Sequence, residues 1–336
     1  MLTLREQTFE YAGLTDLAAA VPADVRQLAA DDLQRAMPAI ARDPNLTAQI
    51  EAVLPHLATK HRLICGDARR LEDLPDESVH LVVTSPPYWT LKEYVDAPGQ
   101  LGHVDDYEQF LDDLDTVWRT AYRLLVPGGR LVINVGDVCL PRRRVGRHLV
   151  VPLHANIQVR CAALGFDNLA PIIWHKIANA KLESGGGTSF LGKPYEPNAV
   201  IKNDIEYILF QRKPGGYRSP SLEAKLLSVI PAHRHREWFQ QIWSLRGAST
   251  RDHPAPYPLE FAERIIRMFS FVGDTVLDPF SGTGTTSAAA AVCGRHSIGV
   301  ELIESYYEQS CQRLAGLHDR QLSLLTEVGP NGLSPG

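Results

Sequence analysis

From His61 onward, apolar residues follow two alternating patterns. Short continuous runs at residues 62–65, 79–83 and 130–135 each close on small or polar groups: Gly66-Asp67, Thr84 and Gly136-Asp137. Runs of that length bounded in that way read as buried strands. Before the third run, Tyr107, Phe110, Leu111, Leu114, Val117, Trp118, Ala121, Leu124 and Leu125 recur at 3.6-residue spacing. That stripe predicts a helix with one buried face, stopped by Pro127-Gly128-Gly129. Residues 171–176 read as a further strand. Beyond Pro254 the alternation resumes, with a helix over 259–271, a strand over 275–278, a glycine turn, an alanine-rich helix to Val292, a strand over 296–300 and a helix over 306–317. Strands alternating with helices predict an α/β fold with a doubly wound parallel sheet. Residues 1–59 read as a helical N-terminal extension, because Leu46, Ile50, Val53, Leu54 and Leu57 keep helical spacing between prolines. It is expected to pack on the main domain or on a second subunit. The tail, 326–336, is expected to be disordered.

Composition narrows the classes. The chain has 336 residues, 44% hydrophobic and 22% charged, which excludes a disordered chain. No apolar run reaches the roughly 18 residues of a membrane span. Glu6 and Glu10 interrupt the place where a signal peptide needs an apolar stretch. The expectation is a cytoplasmic protein with no membrane partner. The five cysteines form no C-x-x-C pair, and the twelve histidines show no ligand spacing, so no metal site is expected. The net charge of -5 hides an asymmetry: residues 141–251 hold 17 Lys+Arg against 7 Asp+Glu. Segregated positive charge is the footprint of a polyanion-binding face, although a solvated surface can cluster in the same way.

Two motifs carry chemistry. In the first, Asp278-Pro279-Phe280-Ser281-Gly282-Thr283-Gly284-Thr285-Thr286, a strand runs into a glycine turn and then a helix. Glycines at 282 and 284 let a ligand approach the backbone at the carboxyl edge of the sheet. No lysine follows, as a phosphate-binding P-loop requires, and Ser287 stands where a dinucleotide fingerprint has its third glycine. Glu301 ends the next strand, where a carboxylate can accept from both ribose hydroxyls of a nucleoside; alone, it could equally complement a helix dipole. The second motif, Thr84-Ser85-Pro86-Pro87-Tyr88-Trp89, follows the strand over 79–83. The Ser85 hydroxyl and the Pro86 carbonyl offer two acceptors for a planar amine, and Tyr88 offers a ring to stack on it.

This pair of motifs, with Gly66-Asp67, PGGRLVINVGD, IIWHK and the GVE ending at Glu301, resembles the S-adenosylmethionine-dependent amino-group DNA methyltransferases. The catalytic motif precedes the cofactor motif, as in the permuted beta class. The resemblance implies a Rossmann-like methyltransferase sheet with an inserted target-recognition region. It divides the chain into the extension (1–59), a catalytic half (60–177), a target-recognition region (178–250), a cofactor-binding half (251–325) and the tail. It also implies that Asp67, Asp278, Phe280, Gly282, Gly284, Thr285 and Glu301 hold S-adenosylmethionine. Ser85, Pro86, Pro87 and Tyr88 would hold the target base, with Trp89 helping to repay the unstacking of a base flipped from double-stranded DNA. Serine in the first position of S-P-P-Y usually accompanies N4 of cytosine, and aspartate there N6 of adenine.

The basic run Arg142, Arg143, Arg144 and Arg147 is expected on DNA phosphates, with a solvated charge run as the alternative. No cysteine follows a proline, which argues against chemistry at cytosine C5. The nearest alternative is an N6-adenine enzyme of the same fold. More distant ones are a protein-glutamine or RNA methyltransferase, a dinucleotide oxidoreductase and a non-catalytic nucleic-acid-binding module. The resemblance further implies a nucleoid-associated place in the cell, a homodimer in some members, and a cognate restriction endonuclease acting on the same site.

Overall fold

Polar residues flank every buried run, so the apolar runs collapse into one sheet covered on both faces. The computed structural model describes residues 5–30, 32–89, 97–140, 142–176, 204–247 and 257–327. Its strands are β1 (Arg5–Tyr11), β2 (Thr59–Cys65), β3 (Val79–Thr84), β4 (Leu125–Val135), β5 (Val138–Leu140), β6 (Leu149–Val151), β7 (Asp167–His175), β8 (Ile205–Arg212), β9 (Ile242–Ser244), β10 (Thr275–Asp278) and β11 (His296–Glu301). Nine of them form one sheet in the order β1-β2-β11-β10-β3-β4-β8-β7-β9, and β5 and β6 form a separate hairpin. The centre, β2-β11-β10-β3-β4, is parallel. β1 and β8 run antiparallel to their neighbours.

Helices cover both faces. They are α1 (Leu17–Ala20), α2 (Ala23–Ala29), α3 (Leu33–Arg42), α4 (Pro44–Val53), α5 (Tyr107–Leu124), α6 (Arg142–Val145), α7 (Leu153–Ala163), α8 (Leu222–Leu227), α9 (Ala232–Trp238), α10 (Leu259–Phe269), α11 (Thr285–Val292) and α12 (Glu304–Glu327). Strand side chains alternate between faces. Val82, Leu131, Ile133 and Leu277 pack on one side with Phe110, Leu114 and Trp118 of α5. Leu81, Val83, Val132 and Val276 pack on the other with Phe261, Ile265 and Ala289 of α10 and α11. The predicted α/β doubly wound sheet is therefore the fold, and both buried faces explain why its central strands are continuously apolar. Among the described residues, no helix is long and apolar enough to cross a membrane.

Four sequence expectations need correction. The N-terminal extension is not wholly helical: β1 pairs with β2 over seven residues at the sheet edge. Its sequence, REQTFEY, is polar because an edge strand keeps most of its side chains in water. The following helices do pack on the main body, where Val25, Ile40 and Ile50 join Leu226, Leu227 and Val272 in one cluster. Second, Pro127-Gly128-Gly129 does not end α5. The helix ends at Leu124, β4 starts at once, and its register on β3 jumps from Val79–Leu125 to Leu81–Arg130, so the proline and glycines form a bulge within the strand. Third, the segment 178–250 is not one insertion. Ile205–Arg212 forms β8 between β4 and β7, and Ile242–Ser244 forms β9 beside β7; residues 178–203 and 248–250 lie outside the described residues. Fourth, the last helix extends through Glu327; the rest of the expected disordered tail, 328–336, lies outside the described residues.

Candidate active site

β10 connects onward through α11 to β11 on one side and is flanked by β3 on the other. This topological switch opens a crevice beyond the carboxyl ends of the strands. Four strand-end loops meet there, and Asp67, Arg69, Ser85, Phe280, Glu301 and Tyr306 line one cavity. The two sequence motifs, nearly 200 residues apart, thus face each other across a single pocket.

The carboxylate of Glu301 is clamped by backbone N–H groups. Its Oε2 accepts from Gly282 N at 2.8 Å and its Oε1 from Ile303 N at 2.8 Å. Burial pushes its pKa up to about 7, although those N–H groups pull it down. Each oxygen retains a lone pair for a ligand hydroxyl. Asp67 turns toward Arg69, whose Nε donates at 2.9 Å and Nη2 at 2.7 Å. Burial raises the Asp67 pKa, but hydrogen bonds and charge from Arg69 outweigh it and leave the group below the ordinary carboxylate value. Arg69 also reaches Asp113 at 3.0 Å. Phe280 contributes an apolar wall braced edge-on by Trp118. An ionised or ionisable carboxylate beside apolar walls suits a nucleoside's sugar and ring.

Asp278, Gly284 and Thr285, also expected at the cofactor, each take part in holding the local fold. Asp278 is buried. Its Oδ1 accepts from Thr84 Oγ1 at 2.7 Å and Phe280 N at 3.1 Å, and its Oδ2 from Tyr257 OH at 2.9 Å and Thr286 Oγ1 at 2.5 Å. Those bonds tie the end of β3 to the end of β10 and the start of α11. Burial raises its pKa despite them. Gly284 adopts φ +78°, and a Cβ there would stand 2.7 Å from the Ser310 Cβ, so this glycine makes room for α12. Thr285 accepts from Arg313 Nη1 at 2.9 Å. Gly282, at φ +50°, is bent so that its N–H reaches Glu301.

Behind the S-P-P-Y turn lies a buried chain of polar groups. Ser85 Oγ is 3.2 Å from Tyr88 OH. Asn134 Nδ2 donates to Tyr88 OH at 3.0 Å and to Glu206 Oε2 at 2.6 Å. Lys176 Nζ pairs with the other Glu206 oxygen and sits over the Trp174 ring. The Asn134 Oδ1 is buried without a partner among the described residues. The Tyr88 ring, expected as a stacking face, is only 4% exposed and packs beside Gly136. Trp89, expected at the DNA, is also buried: its Nε1 donates to Val104 O at 2.7 Å and its ring lies against Tyr107. Pro86 and Pro87 are buried in the turn.

Asn134, Glu206, Lys176, Tyr257 and Arg69 were not singled out in the sequence. Asn134 carried a signal, since it is the one polar residue in the apolar run 131–135, and such a position demands partners. The expected DNA-binding arginines fall between β5 and β6, Arg142, Arg143 and Arg144 in the short helix α6 and Arg147 after it. Arg142, Arg143 and Arg147 are exposed there.

A family model described as DNA methylase matches residues 79–312. The Type II methyltransferase M.MjaI of Methanocaldococcus jannaschii is 37% identical over 280 residues, covering 74% of this chain and 89% of the relative. Among solved structures, the Thermus thermophilus protein TTHA0409, in complex with S-adenosyl-L-methionine, is 56% identical with a TM-score of 0.62, covering 76% of this chain and 93% of that one. The PvuII cytosine-N4-specific DNA methyltransferase is 19% identical with a TM-score of 0.56, covering 78% of this chain and 93% of that one, a likeness of fold.

Proposed function

The chain belongs to the N6/N4 family of DNA methylases, and from that premise we propose that it methylates the exocyclic N4 of cytosine in duplex DNA. The methyl donor is S-adenosylmethionine, carried by a relative whose fold and sequence match over three-quarters of this chain. The observation that supports the reading most is the placement of Ser85 in the cavity that also holds Phe280 and Glu301. The donor supplies a methyl group activated on a sulfonium, so the protein's task is alignment and preparation of the amine.

Glu301 would take the ribose hydroxyls, Asp67 the adenine end, and Phe280 the apolar part of the cofactor. Ser85 Oγ and the Pro86 carbonyl would accept the two N–H bonds of the target amine, which pulls its lone pair out of the ring. The nitrogen would then bond to the methyl carbon as the carbon–sulfur bond breaks with its electron pair left on sulfur, and the surplus amine proton would pass to water. An acceptor at Ser85 requires its own hydroxyl proton to point elsewhere. The buried chain provides this: Glu206, charge-paired with Lys176, takes an Asn134 N–H, and the Asn134 amide donates on to Tyr88. With the Tyr88 proton on the Asn134 backbone carbonyl at 3.5 Å, Ser85 would donate to Tyr88 and keep its lone pairs for the substrate. Tyr88 in this reading anchors the serine rather than stacking on the base.

The family covers both amino positions, which supports N6 of adenine as a second reading. The Type II designation of M.MjaI supports pairing with a restriction endonuclease of the same site.

The raised pKa of Glu301 has a measurable result. In the ligand-free fold, stability from this group is present below the ordinary carboxylate range and is lost as pH rises through about 7. Ribose hydroxyls favour the ionised form, so cofactor binding near pH 7 should release a proton. Calorimetry in buffers of different ionisation enthalpy should show that release in the wild type and lose it in Glu301→Gln. Equal release in both would remove Glu301 from the ribose.

Changing Arg142, Arg143 and Arg144 to alanine should weaken specific and non-specific duplex binding alike. The slope of log affinity against log salt should fall by about one unit per lost phosphate contact, with cofactor affinity unchanged. An unaltered slope would return those arginines to the solvated surface.

A further inference from the structure

At the opposite end of the sheet from the crevice, β4 and β8 set two guanidinium groups side by side. Arg130 and Arg212 are direct partners in antiparallel register, a like-charge placement that sheets disfavour. Arg212 is neutralised by Asp167 at 2.7 Å. Arg130 has no carboxylate among the described residues. Its Nε is buried without an acceptor among the described residues, and its guanidinium lies over the Phe269 ring at 5.1 Å. Burial and the neighbouring Arg212 both disfavour its charge, with Tyr217 acting the other way.

Both arginines open onto a cavity of about 390 Å³, also walled by Gly128, Gly216, Tyr217 and Arg218. The glycine loops form its floor by close approach: a Cβ on Gly128 would stand 2.7 Å from the Gly216 carbonyl oxygen. The acidic groups around it are committed, Asp274 to Arg218 at 2.5 Å and Asp167 to Arg212. His80, also at the wall, accepts from Thr275 N through Nδ1. Tyr217 is fully exposed. A half-buried cation, compensated only in part by the Phe269 ring, thus stands beside an exposed aromatic face on one cavity.

We propose that this cavity binds a small phosphoryl-bearing ligand, with Arg130 as the anion partner and Tyr217 as the face for an attached ring. A guanidinium fork matches phosphate oxygens, and the cavity falls within the usual range for small-ligand pockets. The assignment is independent of the crevice and of the base methylated there.

The test is calorimetric titration with inorganic phosphate and with uridine monophosphate, with the crevice saturated by S-adenosylhomocysteine. Both probes should bind the wild type, and Arg130→Gln should weaken both by about tenfold or more. Arg130→Lys should retain phosphate binding better than Arg130→Gln. Tyr217→Ala should weaken the nucleotide alone if the ring is held, and neither probe if free phosphate is the ligand. Unchanged S-adenosylhomocysteine affinity shows that each variant is folded. No binding of either probe at about 10 mM, equal affinity in Arg130→Gln, or displacement of phosphate by a short DNA duplex would overturn the proposal.

Discussion

Ser85→Ala should lower the single-turnover rate of methyl transfer by about 10²–10³, the usual scale for removing one preorganised polar group aimed at a reacting centre. Cofactor affinity should not change, because the proposed reading puts Ser85 on the target amine and Glu301 on the ribose. Glu206→Gln should reproduce part of that loss from a distance. A neutral amide accepts the Asn134 N–H less strongly and gives up the charge pair with Lys176, so the Asn134–Tyr88 bond that holds the serine's partner loosens and the Ser85 hydroxyl is less well aimed. Rate should fall at saturating DNA and cofactor, with little change in either KM. If Ser85→Ala fails to slow transfer, the amine grip is wrong. If only Glu206→Gln fails, the grip stands and the buried chain is merely structural.

The second large effect is on stability. Asp278→Ala should destabilise the fold by about 3–5 kcal/mol, since the hydroxyls of Thr84, Tyr257 and Thr286 lose a shared acceptor in a buried site. Cofactor binding should be lost with it, because the same carboxylate fixes the spacing between the S-P-P-Y turn and the cofactor loop. Asp278→Asn keeps the volume and one acceptor oxygen, and should cost clearly less. Urea unfolding of the three proteins checks this. An alanine variant as stable as wild type would mean that the loops are held by other contacts.

Asp278 also shows what could and could not be read from the sequence. Its place at a strand end before a glycine turn was legible, because apolar runs and turn residues are local signals. Its role was not, because its partner Thr84 is 194 residues away. The same holds for Glu206, which meets Asn134 across 72 residues from a strand hidden in a basic stretch that reads as loops. β1 escaped for the opposite reason: an edge strand with exposed side chains carries little apolar pattern. Glu301, Phe280 and Ser85 line one cavity because each sits at or just past the end of a run whose burial fixes its direction.

We propose that this crevice methylates N4 of cytosine. The most direct measurement is digestion to nucleosides, with mass analysis, of duplex DNA treated with the enzyme and S-adenosylmethionine carrying a labelled methyl group. Label should appear in N4-methylcytosine with the wild type and be lost with Ser85→Ala. Label confined to N6-methyladenine would contradict it, while leaving the chain a DNA methylase of the same family.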